Sequence, residues 1–173
     1  MKATCLNRTR LAFAPIVSLV FILATTAQLG SAQFDSMDTP AKPKSYVFYA
    51  AEQQTVPSAR RAVLELRFQI VPGFHINSHT PKSKFLIPTA LTLQPAPGVQ
   101  TAPPQYPAGE PYSFPFDPGE KLDVYAGSFT VKLPVVATAG DHAIDGTLKY
   151  QACDNASCYP PKTLPVRIVF TAK

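Results

Sequence analysis

Cys153 and Cys158 are separated by four residues in Tyr150-Gln151-Ala152-Cys153-Asp154-Asn155-Ala156-Ser157-Cys158-Tyr159-Pro160-Pro161. Two thiols so placed can close a structural disulfide, cycle between dithiol and disulfide in exchange with other proteins, or hold a metal as thiolates. Asp154 and Asn155 are turn formers, so the cysteines flank the tip of a hairpin, or of an irregular loop in its place, within bonding reach of each other. By chain entropy, closing so short a loop stabilises the fold by only ~2 kcal/mol, less than a bridge between distant strands would. An exposed short-loop bond also tends towards an exchange-competent potential. Short structural disulfides are nevertheless common in exported proteins, and spacing alone leaves the redox and structural readings level.

The metal reading would join both cysteines to His75 and His79 in a Cys2His2 set suited to zinc or copper. Nothing in the sequence brings those histidines to the cysteines. In Phe74-His75-Ile76-Asn77-Ser78-His79 they are expected to be ordinary hydrogen-bonding residues, and no metal or other cofactor is expected.

The compartment follows from the N-terminus. Lys2, Arg8 and Arg10 precede an apolar run from Leu11 to Leu29, which ends in Gly30-Ser31-Ala32. That is the layout of a secretory signal peptide, with cleavage expected after Ala32. Pro15, Ser18, Thr25 and Thr26 weaken the alternative of an N-terminal membrane anchor. Cys5 lies in the charged region with no lipobox around it, and is not a lipoprotein cysteine. The expected organisation is a signal peptide over 1–32 and one domain over 33–173, exported to the periplasm.

Cleavage removes three of the sixteen basic residues and none of the eleven acidic ones, so the mature net charge is 13 − 11 = +2. The basic pI of 9.2 is therefore largely the signal's. With no Lys/Arg run longer than Arg60-Arg61 remaining, nucleic acid is excluded as a partner. About 140 residues is one domain's worth of chain, enough to bury a core without disulfide staples.

The elements that must position the cysteines read as strands. Leu64, Leu66, Phe68 and Ile70 alternate with Glu65, Arg67 and Gln69, the pattern of a half-buried strand. The same period recurs in Phe129, Val131, Leu133 and Val135, in Leu148, Tyr150 and Ala152, and in Leu164, Val166, Ile168 and Phe170. Weaker strands are expected around Tyr46 to Ala50, Phe74 to Asn77 and Thr89 to Leu93. Outside the signal no window has a helical period. About seven short strands punctuated by Pro and Gly indicate an all-β, immunoglobulin-like β-sandwich.

From Pro95 to Pro118 the chain carries eight prolines in twenty-four residues. Proline removes a ladder donor, so this stretch cannot be a central strand. It is expected to be a long loop, either a plain crossover or a functional segment whose aromatic end, Tyr112-Ser113-Phe114-Pro115-Phe116, packs onto something.

Tyr150-Gln151-Ala152-Cys153 followed by Cys158-Tyr159-Pro160-Pro161 resembles the active-site segment of the N-terminal domain of the thiol:disulfide interchange protein DsbD, also called a disulfide-bond corrector domain. Pro72-Gly73-Phe74-His75-Ile76-Asn77 with Pro88-Thr89-Ala90-Leu91 is similar to that family's early strand pair. Asp123-Val124-Tyr125 and Leu133-Pro134-Val135 are similar to its later strands. The resemblance covers nearly all of the mature chain, and Cys-Tyr-Pro-Pro is its most specific part.

The resemblance implies an immunoglobulin-like fold in the periplasm, with Cys153 and Cys158 as the catalytic pair. Cys158 would attack a partner disulfide and Cys153 would resolve the mixed disulfide. It implies a cap that shields the cysteines, placed here on Phe114 to Glu120, with Phe116 as the covering ring and Phe114 beside it. The implied partners are a thioredoxin-like electron donor domain or membrane thiol transporter on a separate chain, and a periplasmic disulfide isomerase or similar acceptor. Some relatives have tyrosines where His75 and Asn77 stand, so any support from those rings is supplied differently here. No Lys or Arg lies within the loop and Asp154 opposes a thiolate, so thiol activation is expected mainly in the docked complex. The alternative is a non-catalytic immunoglobulin-like binding module whose disulfide only ties the hairpin.

Overall fold

The computed structural model describes residues 44–173 apart from 84 and 116. The expected signal peptide and its cleavage point lie outside the described residues. Among the described residues every regular element is a strand, and no helix is long and apolar enough to cross a membrane.

The twelve strands described are β1 (Val47–Ala50), β2 (Gln54–Val56), β3 (Ala62–Ile70), β4 (His75–Asn77), β5 (Ala90–Leu93), β6 (Val99–Thr101), β7 (Glu110–Phe114), β8 (Asp117–Ala126), β9 (Ser128–Ala137), β10 (Gly140–Tyr150), β11 (Ala152–Cys153) and β12 (Lys162–Ala172). They form three four-stranded sheets in the orders β1-β3-β9-β6, β2-β12-β10-β5 and β11-β4-β8-β7. All pairings are antiparallel except β2 with β12.

The alternating segments are the long strands. In β3, Leu64, Leu66 and Phe68 are fully buried while Glu65, Arg67 and Gln69 face solvent. Opposite them on β9 stand Leu133, Val131 and Phe129 in register. These side chains and the inward row of the second sheet, Ile144, Leu148, Val166, Ile168 and Phe170, make one continuous apolar core. Each fully buried Leu or Phe contributes about 1.5–3 kcal/mol over its exposed state. Two sheets closing on one core is the sandwich that the period-2 pattern demands, and the immunoglobulin-like all-β class is as expected.

The proline-rich stretch is where sequence and structure differ. It is not one long loop: it contributes β6, β7 and the start of β8. The reason it can do so is position. Strands β6 and β7 are both sheet edges, where a residue without an N–H, such as Pro111 in β7, leaves no central ladder broken. Gly109, just before β7, passes so close to the Asp123 carboxylate that a Cβ there would collide with it.

The third sheet carries the cysteines. It is set at the end of β3 by the turn Val71-Pro72-Gly73-Phe74, closed by Phe74 N–H donating to Val71 O at 3.1 Å. Pro at the second position and Gly73 at φ 83° at the third make this a type II turn. It delivers His75 into β4.

Candidate functional site

Strand β11 is a two-residue continuation of β10 beyond Gln151, and it leaves the second sheet to pair with β4. The Gln151 side chain holds this changeover. Its Oε1 accepts from Asn77 Nδ2 at 3.1 Å and from the Ile87 N–H at 3.3 Å, while its Nε2 donates to Tyr159 O at 3.2 Å. One side chain thus ties the outgoing strand, its neighbour β4 and the returning chain after Cys158.

Beyond β11 the chain reverses as the expected hairpin tip. Asp154 N–H donates to Ser157 O at 3.0 Å, and Tyr159 N–H to Ala152 O at 2.8 Å. Asp154 Oδ1 accepts the N–H groups of Ala156 and Ser157, both at 2.8 Å, and the Tyr159 hydroxyl donates to Asp154 Oδ2. That bond to a carboxylate raises the Tyr159 phenol above its ordinary pKa. Asp154 is therefore the turn's internal cap, satisfying backbone donors that a tight reversal would otherwise leave unpaired.

Because Ala152 and Tyr159 share a ladder hydrogen bond, the next pair outward, Cys153 and Cys158, is a non-hydrogen-bonded pair. Such pairs bring side chains closest. The two cysteines are joined by a disulfide with a Cα–Cα distance of 3.9 Å. They are not equivalent: Cys153 is fully buried, whereas Cys158 is exposed, as are Asn155, Ala156 and Ser157 before it.

Aromatic rings pack around the hairpin on two sides. Tyr159 stacks on Tyr46 at 5.2 Å between centroids, with Phe74 at 6.0 Å. Lys162 Nζ lies 4.5 Å from the centre of the Tyr46 ring. On the other side, β7 lays Tyr112 over His75 at 4.0 Å, and the Tyr112 hydroxyl donates to Asn155 Oδ1 at 3.0 Å. Phe114 stands edge-on to Tyr112 at 5.5 Å and 6.0 Å from His75. Phe114 is half-buried in this cluster, and Phe116 lies outside the described residues.

The two histidines part company. His79 Nδ1 lies 2.9 Å from Thr89 O, and its ring stacks on Tyr106 at 3.7 Å. His75, by contrast, pairs directly with Cys153 across the β4–β11 ladder. Its ring is buried, and burial lowers its pKa from the ordinary value, with the Asp154 carboxylate pulling the other way. No sequence signal places His75 beside the cysteines; the β4–β11 pairing does. Two residues of this site, Tyr112 and His75, were not assigned roles there from the sequence. The aromatic end of the proline-rich stretch was the signal for the first.

Solved structures similar to this chain include N-terminal domains of DsbD and ScsB. The N-terminal domain of Neisseria meningitidis DsbD in the reduced form is 21% identical with a TM-score of 0.40, over 63% of this chain and 81% of that one. The complex between the DsbD N-terminal and PilB N-terminal domains from Neisseria meningitidis gives 21%, 0.42, 65% and 80%. The N-terminal periplasmic domain of ScsB from Proteus mirabilis gives 13% and 0.43, with 70% of this chain matching 44% of that one. No curated protein sequence matches. The family profile described as thiol:disulfide interchange protein DsbD, N-terminal, matches residues 46–169, from the Tyr46 that stacks on Tyr159 through both cysteines and most of β12. With that match spanning most of its length, the chain belongs to the DsbD N-terminal domain family of thiol-disulfide interchange proteins.

Proposed function

We propose that this chain is an exported thiol-disulfide oxidoreductase in which Cys158 attacks partner disulfides and Cys153 resolves the product. The observation that carries the reading is the asymmetry of the pair, an exposed Cys158 against a fully buried Cys153. Only an accessible sulfur can meet a disulfide on another protein, and a buried one at bonding distance can reach only its own neighbour.

The reduced Cys158 thiolate attacks one sulfur of the partner disulfide. That bond breaks, a Cys158–partner bond forms, and the other partner sulfur leaves as thiolate. Cys153, as thiolate, then attacks Cys158 Sγ and expels the second partner sulfur. The partner has gained two electrons and two protons, and the domain ends with the Cys153–Cys158 bond. Running the same steps backwards with a dithiol donor reloads it.

The turn's own bonds support a redox rather than a structural role for the disulfide. Asp154 caps two N–H groups and two backbone bonds close the reversal without any help from sulfur. A hairpin so held keeps its shape as the bond opens and closes. On this reading Met1–Ala32 is the export signal and Gln33–Lys173 the working domain in the periplasm. Its partners are a thioredoxin-like donor domain or membrane thiol transporter and a disulfide isomerase or similar acceptor. Phe114 and Phe116 belong to the cover over the cysteines.

Equilibration with glutathione buffers tests the proposal. A potential above about −300 mV, with exchange to a thioredoxin-like protein, is the expected result. A lower potential with no such exchange would make the bond a structural tie in a binding module.

A further inference from the structure

Strand β4 meets β11 with His75 directly opposite Cys153. Two residues along the same ladder Asn77 N–H donates to Gln151 O at 3.3 Å, which makes His75 and Cys153 a hydrogen-bonded pair as well. Directly opposed side chains leave the sheet on the same face, with Cβ atoms about 5 Å apart. His75 is only 4% exposed, and among the described residues its Nε2 has no hydrogen-bond partner. A buried polar atom left open calls for an explanation.

The groups facing this ring come from three elements. Strand β7 supplies the Tyr112 and Phe114 rings, and the Tyr112 hydroxyl is committed to Asn155. Strand β8 supplies Ala126, paired with His75 in the ladder. The hairpin supplies Cys153 and, acting through its charge, Asp154.

We infer that His75 is the proton acceptor for the Cys153 thiol when the mixed disulfide is resolved. The inference rests on the reading of Cys153 as the resolving cysteine. A fully buried thiol has no water to take its proton, and apolar surroundings hold it in the unreactive S–H form. In the resolving step the Cys153 S–H proton passes to His75 Nε2, and the sulfur's freed electron pair attacks Cys158 Sγ. The Cys158–partner bond breaks and the partner thiolate leaves. The imidazolium then gives up its proton to that thiolate or to solvent, restoring neutral His75. Burial keeps His75 unprotonated at neutral pH and so ready to accept, and the Asp154 carboxylate favours the imidazolium while it lasts.

The test is rapid-quench reaction of the reduced mature chain, Gln33–Lys173, which lacks Cys5, with oxidised glutathione, with formation and decay of the mixed disulfide followed by mass across pH. In the unaltered chain, resolution should rise with pH through a midpoint below about 6.5 and level off by about pH 7.5. In His75→Phe, resolution at pH 7 should slow about tenfold or more and keep rising through the ordinary thiol range near 8.5. Formation of the mixed disulfide by Cys158 should stay within about twofold. Unaltered resolution in His75→Phe would overturn the inference. So would a profile of the unaltered chain that follows only a thiol titration near 8.5 or above, a measurement that needs no variant to fold. If no mixed disulfide forms on Cys158 even in the unaltered chain, the attack assigned to Cys158 fails first and the inference falls with it.

Discussion

The Tyr112 hydroxyl donates to Asn155 Oδ1 at 3.0 Å, fastening edge strand β7 to the turn between the two cysteines. The same ring covers His75, so one side chain couples the aromatic cover to both the hairpin tip and the residue opposite Cys153. On the proposed function, a partner that engages Cys158 closely has this exposed bond between β7 and the turn to displace.

Tyr112→Phe keeps the ring and removes that bond. Because the bond is exposed, stability should fall by no more than about 1 kcal/mol. Reduction of the Cys153–Cys158 bond by dithiothreitol should become several-fold faster. Denaturant unfolding and the rate of thiol release check the two halves, and a large stability loss with unchanged reduction would contradict the coupling.

Opening the disulfide should change stability little. The bond closes a loop with a sequence separation of only five, and chain entropy assigns it ~2 kcal/mol at most. Asp154→Ala, which strips the cap from two N–H groups, should cost about 1–2 kcal/mol and leave the fold more dependent on the disulfide. Unfolding curves of both forms, with and without reductant, give the comparison. A loss well above 3 kcal/mol on reduction alone would favour a structural bond.

His75 should make stability depend on pH in a defined direction. Its folded-state pKa lies below the ordinary 6.5 because burial disfavours the charged ring. Between the folded and unfolded values the unfolded chain binds more protons, so stability is full above about 6.5 and declines as pH falls below it. His75→Phe should flatten that part of the profile. Unfolding free energies measured from pH 5 to 8 test it, and a His75→Phe profile with the original slope would contradict it.

Much of the fold was legible because alternation is a local signal. Leu64 to Ile70, with one face buried and one exposed, states its strand outright, as do Phe129 to Val135 and Leu164 to Phe170. The hairpin tip followed from Asp154-Asn155 for the same reason. His75 beside Cys153 did not, since the contact depends on pairing β4 with β11, strands of three and two residues. All three residues of β4 are buried, so it has no alternation to read. Prolines hid β6 and β7, because a rule that excludes central strands is silent about edges. Tyr112 was visible as part of an aromatic run, but its bond to Asn155 requires the β7–β8 register, which shifts between Tyr112 and Phe114.

The division of labour between the two sulfurs is tested most directly by trapping. Cys153→Ala and Cys158→Ala, each reduced and mixed with an oxidised thioredoxin-like protein, are resolved on a non-reducing gel. Cys153→Ala should accumulate a mixed disulfide through the exposed Cys158, and Cys158→Ala, with only the buried Cys153 left, should trap none. A mixed disulfide that accumulates through Cys153 instead, or through neither cysteine, would contradict the account.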